Sequence, residues 1–301
     1  MRKKLTPRYL LNLLVAFLVA LAFAFYIIAP VYSANRALHP TRFPIGQVSP
    51  ADLGMQYENI VLTTADSLEL HGWYVPSQNG AAIIAVHAYN GNRTGVLYHA
   101  DLLARNGFGV LMLDLRAHGE SRGSSFAFGW NADQDIFAAL DYLQSRPDVD
   151  PQRIGALGLS IGAEIILQAA AEDHRLRAVV AEGAGSRSFD EWMLAPEPAG
   201  AIPWQMLVPG QWAFFRAGEI LSGVKPAPAL DLLVYEISPT PLLLISAGDE
   251  NPLTTIYFDA ARPPKQHWAR PEPGHIDALH AQPDTYREKV LDFLTQYLLL
   301  Q

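Results

Sequence analysis

The sequence predicts an α/β protein: a mostly parallel β-sheet with helices on both faces. Four runs are apolar from end to end, as strands buried on both faces must be: 81–87 (AAIIAVH), 109–114 (GVLMLD), 154–159 (IGALGL) and 241–246 (PLLLIS). Helical stretches alternate with them, the signature of parallel strands joined by crossover helices. His87, Asp114 and Ser160 each stand at or just past the C-terminal end of a run, the edge where open sheets of this kind form their sites.

A chain of 301 residues, half of them hydrophobic and 17% charged, is ample for a large core and is not disordered. Its net charge of -8 argues against nucleic acid as a partner. Cysteine is absent, which excludes disulfides and thiolate metal sites.

The N-terminus is distinct. Arg2, Lys3, Lys4 and Arg8 precede twenty residues without a charge, Leu10 to Ala29. A helix of that length spans about 30 Å, the thickness of a bilayer's hydrocarbon core. A signal peptide has a shorter apolar region, about 7–15 residues, followed by a small-x-small site, to which Val31-Tyr32-Ser33 is a poor match. The expectation is therefore one N-terminal transmembrane helix. Its basic flank stays in the cytoplasm and the rest of the chain lies outside it; cleavage of the segment would give a secreted form instead. Residues 1–34 are read as flank and anchor, 35–54 as a linker with Pro40, Pro44 and Pro50, and 55–301 as the body.

In the body, 58–63 and 68–75 bracket Ala65-Asp66-Ser67 and predict a hairpin. Residues 96–106 predict a helix stopped by Gly107, and 132–145 an amphipathic helix with Ile136, Ala139, Leu140 and Leu143 on one face. Further strands are expected over 176–182 and, more weakly, 265–270, with a closing helix over 285–300.

The chain's chemistry centres on 153–170. A buried strand ends at Leu159 and a helix starts at Ile161, so Ser160 sits at the junction within Gly158-Leu159-Ser160-Ile161-Gly162. A strand turning at once into a helix strains its junction residue, and flanking glycines remove Cβ atoms that would clash. The hydroxyl then projects at a helix N-terminus, where backbone N–H groups can stabilise an oxyanion. The competing reading is a tight turn with Ser160 as N-cap.

The order of HAYNGNR, DLRAHGES, GLSIG, AGDE and PGH, each following a strand, resembles the α/β-hydrolase superfamily from about Met55 onward. It is most similar to serine-aminopeptidase-like and membrane-anchored esterase-like branches. The resemblance implies an α/β-hydrolase fold with a small cap insertion. The loop Asp114–Ser121 is similar to the family's D-x-R-G-H-G-x-S, with Ala117 where glycine is common. By resemblance, the Tyr89 and Ile161 N–H groups are the oxyanion donors.

A serine hydroxyl is a weak nucleophile and needs an imidazole base, itself held by a carboxylate. His275, in Pro273-Gly274-His275 before the final helix, matches the family's base and completes the Ser-acid-His order. His87 and His118 are loop-organising by family position. His275, Asp277 and His280 are spaced H-x-D-x-x-H, but no further ligand cluster supports a metal site, and none is expected. The acid departs from the family's G-x-x-D, since Gly248-Asp249-Glu250-Asn251 puts asparagine at that spacing. Asp249 is preferred and Glu250 is the alternative; Asn251, or a carboxylate at another strand end such as Asp114, remains.

Residues 186–235 carry Trp192, Met193, Trp204, Met206, Trp212, Phe214 and Phe215. As a cap their aromatics would line an apolar pocket or pack the cap on the body. No phosphate loop or dinucleotide fingerprint is present, so no cofactor is expected. The function expected is a serine hydrolase cleaving an ester, thioester or amide of a small-molecule or peptide acyl substrate. The alternatives are a catalytically silent, membrane-tethered binding module and an acyltransferase.

Overall fold

The computed structural model describes residues 6–196, 200–248 and 251–300. It contains one eight-stranded sheet, ordered β1-β2-β4-β3-β5-β6-β7-β8. Strands β1 (Glu58–Thr63) and β2 (Glu69–Val75) form the expected hairpin, and β2 pairs antiparallel with β4 (Gly109–Leu113). From β4 onward every pairing is parallel, through β3 (Ala82–Val86), β5 (Ile154–Leu159), β6 (Val179–Glu182), β7 (Leu242–Ala247) and β8 (Lys265–Arg270). β6 starts at Val179, later than expected, although Arg177 and Ala178 already bond to Ile154 and Ala156 of β5.

The apolar runs are explained by the two faces. Successive strand residues point to opposite sides, so Ile84, Leu111, Leu113 and Ala156 join one core while Ile83, Val110, Met112 and Leu157 join the other. The first core is covered by α4 (Asp133–Gln144), α5 (Ile161–Glu172), α8 (Leu230–Glu236) and α9 (Asn251–Ala260). The second is covered by α3 (Leu97–Ala104) and α10 (Pro283–Leu298), through Leu103, Val290, Phe293 and Leu294. The helix expected over 96–106 runs from Leu97 to Ala104: Val96 closes a 3₁₀ turn capped by the Asn92 side chain, and residues 105–107 leave the helix as a turn ending at Gly107, φ 83°.

At the N-terminus, α1 (Pro7–Phe23), a π-helical stretch (Ala24–Ile28) and α2 (Ala29–Leu38) make one continuous helix of 32 residues, about 48 Å long. It runs four residues past Ala34, into the segment read as linker. Leu38 is buried, and its carbonyl accepts the Phe126 N–H at 2.8 Å. Upstream the side chains of α1 are exposed throughout.

Between β6 and β7 come α6 (Phe189–Leu194), α7 (Trp204–Ser222) and α8. α8 buries Leu230, Leu233 and Val234 in the core and so belongs to the body's helical layer. α7 instead lies against α2 and touches the body at Gly218. A Cβ there would fall 2.0 Å from the Phe128 ring, so only glycine allows the contact.

Candidate active site

The parallel strands end together at one edge, and the site is built there. β5 delivers Ser160 with φ 53° and ψ -122°, a conformation that L-residues avoid and that costs about 1–3 kcal/mol. Both glycines of the turn are required by contact. A Cβ on Gly158 would lie 2.4 Å from the Gly162 carbonyl oxygen, and one on Gly162 would lie 2.6 Å from that of Val86. The Ser160 N–H donates to the Glu182 carbonyl at 2.8 Å, tying the turn to β6. Its side chain does not cap α5, which removes the N-cap reading.

The Ser160 Oγ instead meets His275 Nε2 at 2.9 Å, across a sequence separation of 115 residues. His275 stands on the loop after β8. That loop is pinned by Arg270, whose guanidinium holds the Asp277 carboxylate at 2.6 Å, and by Glu182, whose carboxylate accepts the Ala278 N–H at 2.9 Å. Asp249 and Glu250, the residues read as candidate acids, lie outside the described residues between β7 and α9.

Tyr89 and Ile161, the residue next after Ser160, line a cavity of about 200 Å³, which Phe126, Phe128, Phe214 and Phe215 help to complete. Among the described residues, neither the Tyr89 N–H nor the Ile161 N–H donates a hydrogen bond, which leaves both for a ligand oxygen. The Tyr89 hydroxyl donates to the Ala37 carbonyl on α2 at 3.1 Å. Phe214 and Phe215, expected either to pack or to line a pocket, do both.

Asp114 serves elsewhere. Its fully buried carboxylate accepts the N–H groups of Arg93 at 2.7 Å and Glu120 at 2.9 Å, and pairs with the Arg93 guanidinium at 3.3 Å. This corrects the fallback reading of Asp114 as the base's carboxylate: both oxygens are committed to joining the loop after β3 to the loop after β4. His87 is buried beside it. Its Nδ1 meets the Ala88 carbonyl at 2.8 Å and its Nε2 accepts the Leu115 N–H at 3.1 Å, which fixes the neutral Nδ1–H tautomer. Burial lowers the His87 pKa to about 4 and that of neighbouring His118 to about 3. The H-x-D-x-x-H residues do not converge. His275 faces Ser160, Asp277 pairs with Arg270, and the His280 ring packs on Tyr98.

Sequence reasoning missed a buried ionic cluster behind the nucleophile. Glu164, one turn into α5, accepts the Gly185 N–H at 2.9 Å and faces Arg187 at 3.5 Å. Glu191 accepts the N–H groups of Ser188 and Leu230, at 3.0 and 2.7 Å. Burial pushes the Glu164 carboxyl up to about 7. The cluster ties α5 to the roots of α6 and α8. Its signals in the sequence are a glutamate within the mostly apolar first turns of α5 and the Ser188-x-x-Glu191 spacing of a capping box, which no local rule joins to each other.

The fold and the paired serine and histidine at the ends of its strands define the class: an α/β-hydrolase, of the serine esterase or peptidase type. Residues 66–219, just over half of the chain, match the X-Pro dipeptidyl-peptidase (S15) family, and the chain belongs to that family. The match takes in the Ser160 turn and stops short of His275. The YfhR protein of Escherichia coli K12, itself uncharacterized, is 28% identical over 254 residues, covering 80% of this chain and 81% of YfhR. A thiohydrolase of Aspergillus aculeatus is 31% identical over 128 residues, 41% of this chain and 40% of its own. In structure the chain is similar to an esterase of Pyrococcus furiosus, with a TM-score of 0.69 at 22% identity, covering 87% of this chain and 99% of the esterase.

Two outcomes test this geometry. Gly158→Ala or Gly162→Ala drives a Cβ into backbone that has no side chain to yield, and is expected to cost at least about 3 kcal/mol in a denaturant melt. Gly210→Ala, whose nearest contact would be an ordinary 3.5 Å, serves as the tolerant control. The second concerns acid. Because the folded pKa of His87 lies below its unfolded value near 6.5, the unfolded chain takes up the proton first. Its contribution is intact above pH 6.5 and is lost as pH falls toward about 4. Between pH 7.5 and 5 the wild type should lose about 2 kcal/mol more than His87→Asn, which cannot titrate. Equal losses would exclude His87 as a buried neutral group.

Proposed function

We propose that this protein is a membrane-anchored serine hydrolase that cleaves an ester, thioester or amide through an acyl-enzyme on Ser160. The observation that carries the reading is the 2.9 Å contact between His275 Nε2 and the Ser160 hydroxyl in its strained turn. The Ser160 oxygen attacks the substrate carbonyl carbon while its proton passes to His275 Nε2. The oxyanion is received by the Tyr89 and Ile161 N–H groups. As the tetrahedral centre collapses, the bond to the leaving group breaks and His275 returns the proton to that group. Water, deprotonated by the same imidazole, then releases the acid and restores Ser160. A carboxylate holding His275 Nδ1–H keeps the tautomer and balances the imidazolium; Asp249 is assigned this role, with Glu250 the alternative.

The uncharged stretch from Leu10 to Ala29 and the exposed sides of α1 support an anchor whose basic flank is cytoplasmic and whose catalytic body lies outside. The similarity to a thiohydrolase supports an acyl substrate, and the aromatic walls of the cavity support one of apolar character.

Three measurements test this reading. A fluorophosphonate probe should label the wild type and not Ser160→Ala. His275→Ala should lower turnover by a factor on the order of 10²–10⁴ with little change in melting temperature. Retained turnover in a folded His275→Ala protein rules out the mechanism. For the acid, Asp249→Asn should lower kcat by up to about 10⁴-fold while Glu250→Gln costs little and Asn251→Ala a modest factor, with a short-chain nitrophenyl ester as substrate. The reverse order of the first two moves the acid by one residue.

The anchor is tested by fractionation. Intact protein should sediment with membranes and require detergent, while a chain starting at Pro30, which keeps α2 against α7, should be soluble. A mature form beginning near Ala34 would mean a cleaved signal peptide.

A further inference from the structure

Besides the cavity beside Ser160 there is a larger one, about 550 Å³, between the N-terminal helix and α7. Phe25, Ala29 and Pro30 wall it on one side, and Leu207, Gly210 and Phe214 on the other. Its size falls within the roughly 300–1,000 Å³ of ligand pockets. Ser186, Phe214 and Phe215 line both cavities, so the two adjoin at those residues. One end of the pair reaches Tyr89 and Ile161, the other reaches the helix that carries the apolar stretch.

The depth of the outer end follows from the helix. A Cβ on Gly210 would lie 3.5 Å from Pro30 and 3.9 Å from Tyr26. A hydrocarbon span of about 30 Å begun at Leu10 ends near Ala29, three residues or about 4–5 Å along the axis beyond Tyr26. On the anchored reading, α7 therefore meets the helix at the level of the headgroups. Its outward side agrees: Met206, Trp212 and Ile220 are 53%, 55% and 65% exposed. A tryptophan at this depth suits the membrane interface. An apolar chain leaving the leaflet at this level would meet aromatic and aliphatic walls as far as the two N–H groups beside Ser160.

We propose that the substrate is a long-chain carboxylic ester resident in the bilayer, which enters sideways between the N-terminal helix and α7 and lays its chain along Phe214 and Phe215. The proposal rests on the serine-hydrolase and anchor readings above, and the test separates the three. Full-length protein is reconstituted into phosphatidylcholine vesicles and given nitrophenyl dodecanoate or nitrophenyl acetate. Ala29→Trp narrows the cleft from the helix and Leu207→Trp from α7.

Each variant should lower the ratio of dodecanoate to acetate kcat/KM by about tenfold, the loss expected when a bulky wall displaces about two methylenes of the chain. Acetate turnover also reports that each variant is folded. A ratio unchanged in both variants overturns the entry route alone. Wild-type protein that hydrolyses neither ester overturns the catalytic reading and this proposal with it. Protein that hydrolyses both but does not float with the vesicles overturns the anchor and, with it, entry from the bilayer.

Discussion

The close approach of three backbone segments at the Ser160 turn is the constraint on which the site depends. Gly162 presses on the carbonyls of Val86 and His87, and Gly158 presses on Gly162. No side chain fits either gap, so β3, β5 and the first turn of α5 are locked as one body. The strain at Ser160, about 1–3 kcal/mol, persists because that body over-determines it. The lock also sets the two N–H groups proposed as oxyanion donors. The Ile161 N–H opens α5, and Tyr89 follows the β3 carbonyls against which Gly162 is packed, so Ser160 and both N–H groups move together or not at all.

Loops cannot be held this way, and here buried charge does the holding. Asp114 binds two backbone N–H groups and Arg93, which fixes the loop carrying Tyr89. Glu164, Arg187 and Glu191 do the same for the start of the 186–235 segment. Such groups contribute little net stability, because desolvation offsets their attraction, but removing one partner strands a buried charge at about 3–5 kcal/mol. Both clusters therefore position backbone. Neither Asp114 nor Glu164 approaches the Ser160–His275 contact within hydrogen-bonding range.

The strands, the Ser160 turn and His275 were legible in the sequence because each rests on a local rule. Doubly buried strands must be apolar throughout, the turn must have its glycines, and a base after the last strand keeps its place in chain order. What was not legible rests on pairings distant in sequence. Glu164 and Arg187 are 23 residues apart and on different elements, and no spacing rule joins them. The prolines at 40, 44 and 50 marked a linker, yet helix continues to Leu38 because Ala34 and Leu38 are buried against the body, which local composition does not report. The acid was ambiguous for a different reason. Asp249, Glu250 and Asn251 are consecutive in the sequence, and adjacency alone does not say which of them would face His275.

The continuity of that helix has a mechanical consequence. A flexible linker of n residues lets its ends wander by about 5–6 Å times the square root of n. A linker from Asn35 to Leu53 would let the body tumble over the membrane. Instead α2 enters the structure as a rigid wall. Ala37 lines the cavity beside Ser160, its carbonyl accepts the Tyr89 hydroxyl, and Leu38 receives the Phe126 N–H. If the same helix crosses the bilayer, the opening between it and α7 has a fixed height and a fixed orientation relative to the lipid. Tyr89, after β3, is then bonded to the membrane-crossing helix itself. Tilting the body away from the membrane would break that contact, so the position of the site over the lipid is set by the same packing that completes its pocket.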